Sequence, residues 1–282
     1  MKVHTNKKYR GVIVPAVTPL KEDFELDESG VERLFALFRQ HGVLPFIMGT
    51  TGEAASLPVR MKQQYIRVAA RLKHPGELLY AGIASNCLEE TAELGRFCFR
   101  EGVDVVVAHL PSYFGLAPAQ MKKYFQLLAD EVGGPLIIYN IPSTTHQSIP
   151  LEVIDELSRH RNIVGIKDSE RDEERLKRSL QLWSARPDFS HFLGWAARSS
   201  FSLLNGGDGL VPSTANLYPG IYREMLEAAE KGDVPRLNQL QEESDKMGAL
   251  YQGRATIGES FAALKALMSK EGICQRYMMP PL

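Results

Sequence analysis

The amino-acid sequence predicts an α/β fold, a (β/α)8 barrel with a C-terminal helical extension. Short apolar runs alternate with amphipathic segments roughly eight times along the chain, which is the pattern of strand-then-helix units. The chain has 282 residues, a usual length for a barrel of eight such units. A doubly wound open sheet would instead place a GxGxxG dinucleotide fingerprint after its first strand. That position reads Pro15-Ala16-Val17-Thr18-Pro19, which favours the barrel.

The first half of the chain contains four predicted strand-and-helix units. Asp27 is the expected N-cap of the first helix, with Leu26 and Val31 placed as a hydrophobic staple, and this helix continues to His41. Apolar runs bounded by turn residues predict four strands, at Gly11–Val17, Leu44–Met48, Leu78–Ala84 and Val103–Ala108. Helical spacing predicts the next helices at Val59–Leu72, at Glu89–Arg100 and along the face of Met121, Phe125, Leu128 and Val132.

The second half repeats this alternation and then changes to helices alone. Strands are predicted at Leu136–Tyr139, Ile163–Ile166, Phe189–Leu193 and Gly209–Val211, and helices at Leu151–Arg159, at the charged run Glu170–Arg178 and through Leu203. Three further helices follow, at Pro219–Lys231, Val234–Leu250 and Ile257–Lys270. We therefore expect residues 1–218 to form the barrel, and residues 219–282 to form C-terminal helices packed on it as one structural unit.

Composition and charge are those of an ordinary globular protein. The chain is 44% hydrophobic and 24% charged, and its formal net charge is −1. This charge provides no basic field for nucleic acid, and the longest apolar runs are too short to span a bilayer. The three cysteines are widely spaced, and residues 2–10 are polar and lack the apolar core of a signal peptide. We expect a cytoplasmic protein with free thiols, without a nucleic-acid or membrane partner.

The chemistry is expected at the C-terminal ends of the strands, where barrel enzymes have their active sites. Lys167 directly follows the buried run Ile163–Ile166. A desolvated lysine has a lowered pKa and a neutral amine that can attack a carbonyl, although a lysine at a strand end can also simply reach solvent. The other predicted exits supply two tyrosines and two threonines, namely Tyr113, Tyr139, Thr50 and Thr51. This set suits carbonyl chemistry through a Schiff base.

Three motifs at these exits carry a family resemblance. They are Gly49-Thr-Thr-Gly-Glu53, Tyr139-Asn-Ile-Pro142 and Gly165-Ile-Lys-Asp168. In this order and at matching strand exits, they resemble the dihydrodipicolinate synthase/N-acetylneuraminate lyase family, over nearly the whole chain from Gly11 to the closing Pro-Pro-Leu. The resemblance implies a class I, pyruvate-using aldolase on a TIM barrel with extra C-terminal helices. It also implies a homodimer or homotetramer.

The resemblance also implies roles for individual residues. Lys167 is the Schiff-base lysine, Tyr139 shuttles protons, and Thr50 and Thr51 bind the pyruvate carboxylate. Tyr113 matches a tyrosine that crosses a dimer interface to complete the relay with Thr50. The expected substrate-binding residues are Gly49, Thr50, Thr51, Gly194 and Val211. Structural interpretations stay open, since Tyr139 could be a core tyrosine and the two threonines could cap the next helix.

Several other features indicate structure rather than chemistry. Glu53 is expected to hold backbone N–H groups. Ser169 and Asp172 fit a capping box, which makes Asp168 and Ser169 terminal scaffolding. Of seven histidines only His109 and His146 fall near the catalytic face, without the clustered spacing of metal ligands. We expect no metal and no cofactor apart from the covalent Schiff base at Lys167.

The aldehyde partner is less well indicated. Thr144 stands where dihydrodipicolinate synthases usually carry an arginine for the second substrate, and threonine cannot supply a bidentate fork. Trp195 stands where sialic acid lyases place polar groups. Lys167-Asp168-Ser169 is similar to the branch that cleaves 2-keto-3-deoxy sugar acids. We expect a lyase or aldolase that joins pyruvate and an aldehyde. A 4-hydroxy-tetrahydrodipicolinate synthase, a Schiff-base dehydratase and a non-catalytic 2-oxo acid binder are the alternatives.

Overall fold

A computed structural model describes residues 7–282 of the chain. The beginning of the polar N-terminal segment, residues 2–6, lies outside the described residues. Contacts within the fold group the chain into two compact units. The first contains Gly82–Val211 together with the described residues up to Gly11, and the second contains Val12–Ala81 and Pro212–Leu282.

The strands are hydrogen-bonded side by side in chain order and form a closed parallel TIM barrel. Within residues 7–282 they are β1 Gly11–Pro15, β2 Leu44–Ile47, β3 Tyr80–Gly82, β4 Val105–His109, β5 Leu136–Asn140, β6 Ile163–Asp168, β7 Ser190–Leu193 and β8 Gly209–Leu210. The predicted fold class is therefore confirmed. Most strands are shorter than the apolar runs that predicted them, because the ends of those runs turn away into loops.

Helices follow the strands and continue after the last one. They are α1 Glu28–Gln40, α2 Val59–Leu72, α3 Leu88–Glu101, α4 Pro118–Val132, α5 Pro142–Thr145, α6 Leu151–Leu157, α7 Glu173–Trp183, α8 Ser199–Leu204, α9 Pro219–Lys231, α10 Val234–Ala249 and α11 Ile257–Lys270. The C-terminal helices predicted from the sequence are present. The expected division at residue 218 stays a prediction. Within residues 7–282, no helix is both long and apolar enough to cross a membrane.

Two local predictions around the sixth strand were wrong. The strand does not end before Lys167 but continues to Asp168, because the backbone N–H of Gly194 donates to the Asp168 carbonyl at 2.7 Å. The capping box from Ser169 to Asp172 does not form. Asp172 is itself the N-cap of α7, and its side chain accepts from the backbone N–H of Arg175 at 2.8 Å. Helix α7 therefore begins at Glu173, three residues later than predicted.

In the first unit, strands β4 to β7 place neighbouring residues side by side in parallel register. His109 is the partner of Tyr139, and Tyr139 is the partner of Lys167. One residue further along, Asn140 is the partner of Asp168. Since side chains alternate across a strand, the first three share one face of the sheet. Asn140 and Asp168 share the opposite face, which helices cover.

In the second unit, buried polar groups hold the end of β1. Asn216 is fully buried, and its side-chain oxygen accepts from the backbone N–H of Val17 at 3.0 Å. Its amide donates to the carbonyls of Pro15 and Ser213, both at 2.9 Å. A buried backbone group costs free energy unless it is paired, so this one side chain satisfies three groups where β1 ends.

Candidate active site

The centre of the candidate site is the pair of Lys167 and Tyr139. Both are buried, and each residue is 5% exposed. The Lys167 Nζ lies 3.8 Å from the centroid of the Tyr139 ring. This distance is well within the range of a cation–π contact. The two side chains that the sequence singled out for carbonyl chemistry therefore touch each other, because their strands are neighbours in register.

Burial decides the electrostatics of Lys167. Loss of hydration lowers the pKa of its ammonium group, and the Tyr139 hydroxyl partly offsets this by favouring the charged form. A lowered pKa increases the share of neutral amine at neutral pH. Only the neutral amine has the lone pair that attacks a carbonyl carbon, so the environment of Lys167 suits a nucleophile.

A third polar side chain, His109, continues the row. It ends β4 beside Tyr139, with the two rings edge to face at 6.2 Å between centroids. Its Nδ1 lies 2.7 Å from the Leu110 carbonyl oxygen. Burial lowers the pKa of His109, the hydrogen bond to the Leu110 carbonyl partly offsets this, and the charge of Lys167 acts with burial. Sequence reasoning placed His109 near the catalytic face but gave it no role.

Behind this row, a buried polar network joins the ends of β5 and β6 to α7. Asn140 donates to the Asp168 carboxylate at 2.9 Å and to that of Glu170 at 2.8 Å. The Asp168 carboxylate also accepts from Arg175 at 2.7 Å. Arg175 in turn donates to the Ile149 carbonyl at 2.9 Å. The interpretation of Asp168 as scaffolding agrees with these contacts, whereas Asn140 and Arg175 were missed. The signal for Asn140 was its position one residue after Tyr139, which matches the position of Asp168 one residue after Lys167.

Gly194 and Val211 lie at the neighbouring strand ends. A Cβ at Gly194 would come within 2.0 Å of the Ser169 hydroxyl oxygen and 3.0 Å of its Cβ. A side chain at this position would therefore crowd the chain that leaves β6. Val211 is buried, and its backbone N–H donates to the Leu193 carbonyl at 2.8 Å. Both residues belong to the same unit as Lys167, and their binding roles stay predictions.

The Gly49–Glu53 motif belongs to the second unit and forms a tight turn after β2. Backbone N–H groups of Gly52 and Glu53 donate to the carbonyls of Gly49 and Thr50, at 3.1 and 3.0 Å. Thr51 is buried, and Thr50 is half-buried. The turn is followed by a short 3-10 helix at Ala54–Ser56, and α2 starts only at Val59 with Pro58 as its N-cap. The two threonines therefore do not cap α2.

Glu53 confirms one prediction and adds a partner that was missed. Its carboxylate accepts from the backbone N–H of Met279 at 2.7 Å, as expected for a group that holds backbone N–H. Its other oxygen lies 2.8 Å from the Nζ of Lys265 on α11, and both side chains are 0% exposed. Lys265 also donates to the Tyr277 carbonyl at 2.5 Å. More than two hundred residues separate the pair, so no local pattern could have indicated it.

Tyr113 stands apart from the buried row. Its side chain is 79% exposed, next to Phe114 at 73%. The backbone of this loop is nevertheless ordered by Asn86, whose side-chain oxygen accepts from the N–H groups of Ser112 and Tyr113 at 2.8 and 3.2 Å. The two aromatic rings lie edge to face at 4.9 Å between centroids. Within this chain Tyr113 thus points away from the protein interior.

The remaining residues of interest have local roles. Thr144 is half-buried in α5, and its hydroxyl lies 3.4 Å from the Ile141 carbonyl. His146 is exposed in a left-handed conformation at the end of that helix. Among residues 7–282, no three His, Cys, Asp or Glu side chains come together as metal ligands. That no metal is used stays a prediction.

Known proteins resemble this chain over most of its length. A 4-hydroxy-tetrahydrodipicolinate synthase of Methanosarcina mazei is 31% identical, over 82% of this chain and 79% of the relative. A probable 2-dehydro-3-deoxy-D-pentonate aldolase of Escherichia coli K12 is 28% identical, over 98% and 92%. The structure of YagE, a prophage protein of E. coli K12 in complex with pyruvate, superposes with a TM-score of 0.92 at 26% identity, over 98% of this chain and 93% of that one.

The family itself follows from a match over nearly all of the described residues. The sequence profile of the dihydrodipicolinate synthetase family covers residues 8–282. The relatives above are named as a synthase and an aldolase, and the closed barrel is the fold that the sequence predicted. This chain is a lyase that belongs to the dihydrodipicolinate synthetase family.

Proposed function

We propose that this lyase forms a Schiff base between Lys167 and pyruvate and cleaves or condenses pyruvate with an aldehyde. The observation that carries the proposal is the environment of Lys167. Its amine is buried in a β-strand, its pKa is lowered by loss of hydration, and it lies 3.8 Å from the Tyr139 ring centroid. A buried amine with a lowered pKa beside a tyrosine is the arrangement that a Schiff-base nucleophile needs, because its neutral form is populated and a proton carrier lies next to it.

The proposed steps balance with the groups at hand. The neutral amine of Lys167 adds to the carbonyl carbon of pyruvate, and the carbinolamine loses its oxygen as water to give the iminium ion. Tyr139 carries protons to and from this oxygen. Tyr139 takes a proton from the methyl carbon to give an enamine. The enamine electron pair forms the new carbon–carbon bond to the aldehyde carbon, and the aldehyde oxygen takes a proton and becomes a hydroxyl group. Water finally hydrolyses the iminium ion and returns the free lysine, so no cofactor is consumed.

The assignment of pyruvate as the donor substrate is supported by similarity to a solved structure. YagE, which shares the fold at 26% identity, was solved in complex with pyruvate. The turn Gly49–Glu53 supplies the hydroxyl groups of Thr50 and Thr51, to which we assign the pyruvate carboxylate, with Gly49, Gly194 and Val211 as further binding residues. Thr144 makes the synthase of amino-acid biosynthesis the weaker proposal, since its hydroxyl lies against the Ile141 carbonyl and supplies no positive charge.

We further assign Tyr113 to a relay completed by a second copy of this chain. The supporting observation is its 79% exposure on a loop whose backbone is held in place by Asn86. A large exposed aromatic pair with ordered backbone is typical of a surface that another protein covers. A cytoplasmic homodimer or homotetramer is the assembly that we propose.

Borohydride trapping tests the Schiff base. Wild-type protein, Lys167→Ala, Lys167→Met and the control Lys177→Ala would be incubated with pyruvate, reduced and measured by intact mass. Lys177 is an exposed lysine of α7 paired with Glu174. We expect a pyruvate-sized adduct on wild type and Lys177→Ala and none on either Lys167 variant, with peptide mapping to locate the adduct. If folded wild-type protein gave no adduct, the non-catalytic binder would replace this proposal.

Product analysis separates the rival reactions on the same Schiff base. The aldolase releases pyruvate and an aldehyde from a 2-keto-3-deoxy sugar acid, which dinitrophenylhydrazine detects. A dehydratase would release water and leave the carbon chain intact, so it would give no aldehyde. A 4-hydroxy-tetrahydrodipicolinate synthase would consume an amino-semialdehyde together with pyruvate. A trapped adduct without any aldehyde product would favour the dehydratase over the aldolase.

A further inference from the structure

We propose that His109 determines the specificity for the aldehyde partner, by accepting a hydrogen bond from a hydroxyl group of that partner through its Nε2. The favoured partners are then hydroxyaldehydes, as arise from sugar acids, rather than plain aliphatic aldehydes. This inference rests on the proposed function, because it concerns the second half of the same reaction. It goes further by naming the group that recognises the aldehyde.

The first observation that supports this inference is the position of His109. His109, Tyr139 and Lys167 are Cα partners across three neighbouring strands, and we call them the β4–β6 row. Residues paired in this way point to the same face of a parallel sheet, with strands about 4.8 Å apart. A substrate bound covalently at the Lys167 Nζ has its first carbons beside Tyr139. A partner that extends along this row past Tyr139 reaches His109 on the next strand.

The second observation is which ring nitrogen of His109 carries the hydrogen. Its Nδ1 lies 2.7 Å from the Leu110 carbonyl oxygen, and a carbonyl can only accept. Nδ1 must therefore carry the hydrogen, so in the neutral ring Nε2 is left as an acceptor. Among the described residues Nε2 makes no hydrogen bond, and His109 is only partly buried. Nε2 is thus open to a donor from a ligand.

The charges around the ring favour its neutral form. Loss of hydration lowers the pKa of His109, the hydrogen bond to the Leu110 carbonyl acts against it, and the charge of Lys167 on β6 acts with it, so that the pKa is lowered in balance. Tyr139 on β5 contacts the ring edge, and Tyr124 on α4 has its hydroxyl 3.5 Å from the His109 carbonyl oxygen. Neither is a carboxylate that would favour the imidazolium. The ring is therefore an acceptor at neutral pH.

An acceptor at this position distinguishes between partners. A hydroxyl group donates to Nε2, whereas a carboxylate offers only lone pairs and a methyl group offers nothing. A site built to bind a hydroxyl group discriminates against the analogue that lacks it, because its own polar atom is then left unpaired in the complex. The lack of an arginine at Thr144 fits this, since a charged aldehyde partner would need such a group.

Two aldehydes of the same size test the inference. Glycolaldehyde and propanal differ by a hydroxyl group in place of a methyl group, and each would be condensed with pyruvate by wild type, His109→Leu, His109→Gln and the control His74→Leu. His74 is exposed. We expect His109→Leu to lower kcat/KM for glycolaldehyde by about 3- to 10-fold more than for propanal, the size of one neutral hydrogen bond. His109→Gln retains the preference, because its Oε1 can accept as Nε2 does.

Borohydride trapping with pyruvate alone separates this inference from the proposed function. If wild type forms no adduct, the proposed function itself fails. If wild type and His109→Leu form the adduct equally and only the preference for glycolaldehyde is lost, the inference is supported. Equal losses for both aldehydes in His109→Leu would assign the side chain to packing and overturn it. A glutamine variant without the preference would overturn it as well.

Discussion

At the scale of the residue, the environment of Lys167 makes a prediction about pH. Burial lowers the pKa of its amine from the ordinary 10.5, so the neutral form is populated at lower pH than in an exposed lysine. The rate of adduct formation with pyruvate, measured between about pH 6 and pH 10, should rise with pH and level off below 10.5. Tyr139→Phe removes a hydroxyl that favours the ammonium, so its midpoint should shift to lower pH while the plateau falls through loss of proton transfer. A wild-type midpoint at the ordinary lysine value would contradict this.

A second prediction at this scale concerns Asp168. Its carboxylate neutralises Arg175, and the two side chains are 5% and 10% exposed. Asp168→Asn should lower the free energy of unfolding by about 3 kcal/mol, because it leaves a buried guanidinium with less compensation. Urea denaturation measures this. Asp188→Asn is the matched control, since Asp188 pairs with Arg186 at the surface, and the expected loss there is below about 1 kcal/mol. Equal losses for the two variants would show that the buried pair adds nothing.

Residues differed in how well the sequence predicted them. Lys167 and Tyr139 could be found because each ends a buried apolar run, and the barrel brings strand ends together. Arg175 could not, since it lies in a charged run that reads as a solvated face, and its burial depends on where α7 begins. His109 could be placed at the site, but its protonation depends on a contact with Leu110 that only the folded backbone defines.

At the scale of the element, helices were predicted better than strands. Helices α2, α9 and α11 begin and end where helical spacing placed them, because amphipathic periodicity is a signal within the element itself. The short helix α5 was missed, since four residues are too few to show a period. Most strands were predicted too long, as was β3, which pairs only over Tyr80–Gly82, whereas β5 and β6 run further than predicted. Pairing depends on the neighbouring strand and not on the apolar run alone.

Helix α11 is held by a buried ion pair, and its removal should lower the stability of the protein. Lys265 connects it to Glu53 in the turn after β2, and both side chains are 0% exposed. Lys265→Met should lower the free energy of unfolding by about 3 to 5 kcal/mol, because it leaves the Glu53 carboxylate buried without its cation. Lys270→Met is the control, an exposed lysine at the end of the same helix. Adding Glu53→Gln to Lys265→Met should recover part of the loss in urea unfolding. If the double variant recovered none of the lost free energy of unfolding, packing rather than the buried charge would be the cause of the loss.

At the scale of the whole molecule, the alternation of apolar strands with helical segments was enough to predict the barrel. Eight apolar runs separated by helical segments leave few other parallel arrangements, and the missing dinucleotide fingerprint removed the open sheet. The pairs Lys265–Glu53 and Lys7–Asp208 could not be predicted in this way. Each joins residues about two hundred positions apart, and buries charges that composition assigns to the surface.

The stability of the whole molecule should depend on pH through His191. This side chain is 0% exposed on β7, its ring is stacked on Trp183 at 6.2 Å between centroids, and neither ring nitrogen has a hydrogen-bond partner among the described residues. Loss of hydration lowers its pKa from 6.5 to about 4, with Arg175 and Lys7 acting in the same direction and Asp168 against them.

The sign of the effect follows from the lowered pKa. Between pH 6.5 and about 4 the unfolded chain binds a proton at His191 that the folded chain does not, so the free energy of unfolding falls as the pH falls through this window. The loss is on the order of 3 kcal/mol and is complete once the folded ring is also protonated. Urea unfolding at several pH values measures this effect as the difference in the free energy of unfolding between wild type and His191→Leu. Because the carboxylates titrate in both proteins, their contribution cancels in this difference. Because His74 is exposed, His74→Leu should keep the wild-type slope. If His191→Leu kept that slope too, the buried ring would not be the group that makes the fold sensitive to acid.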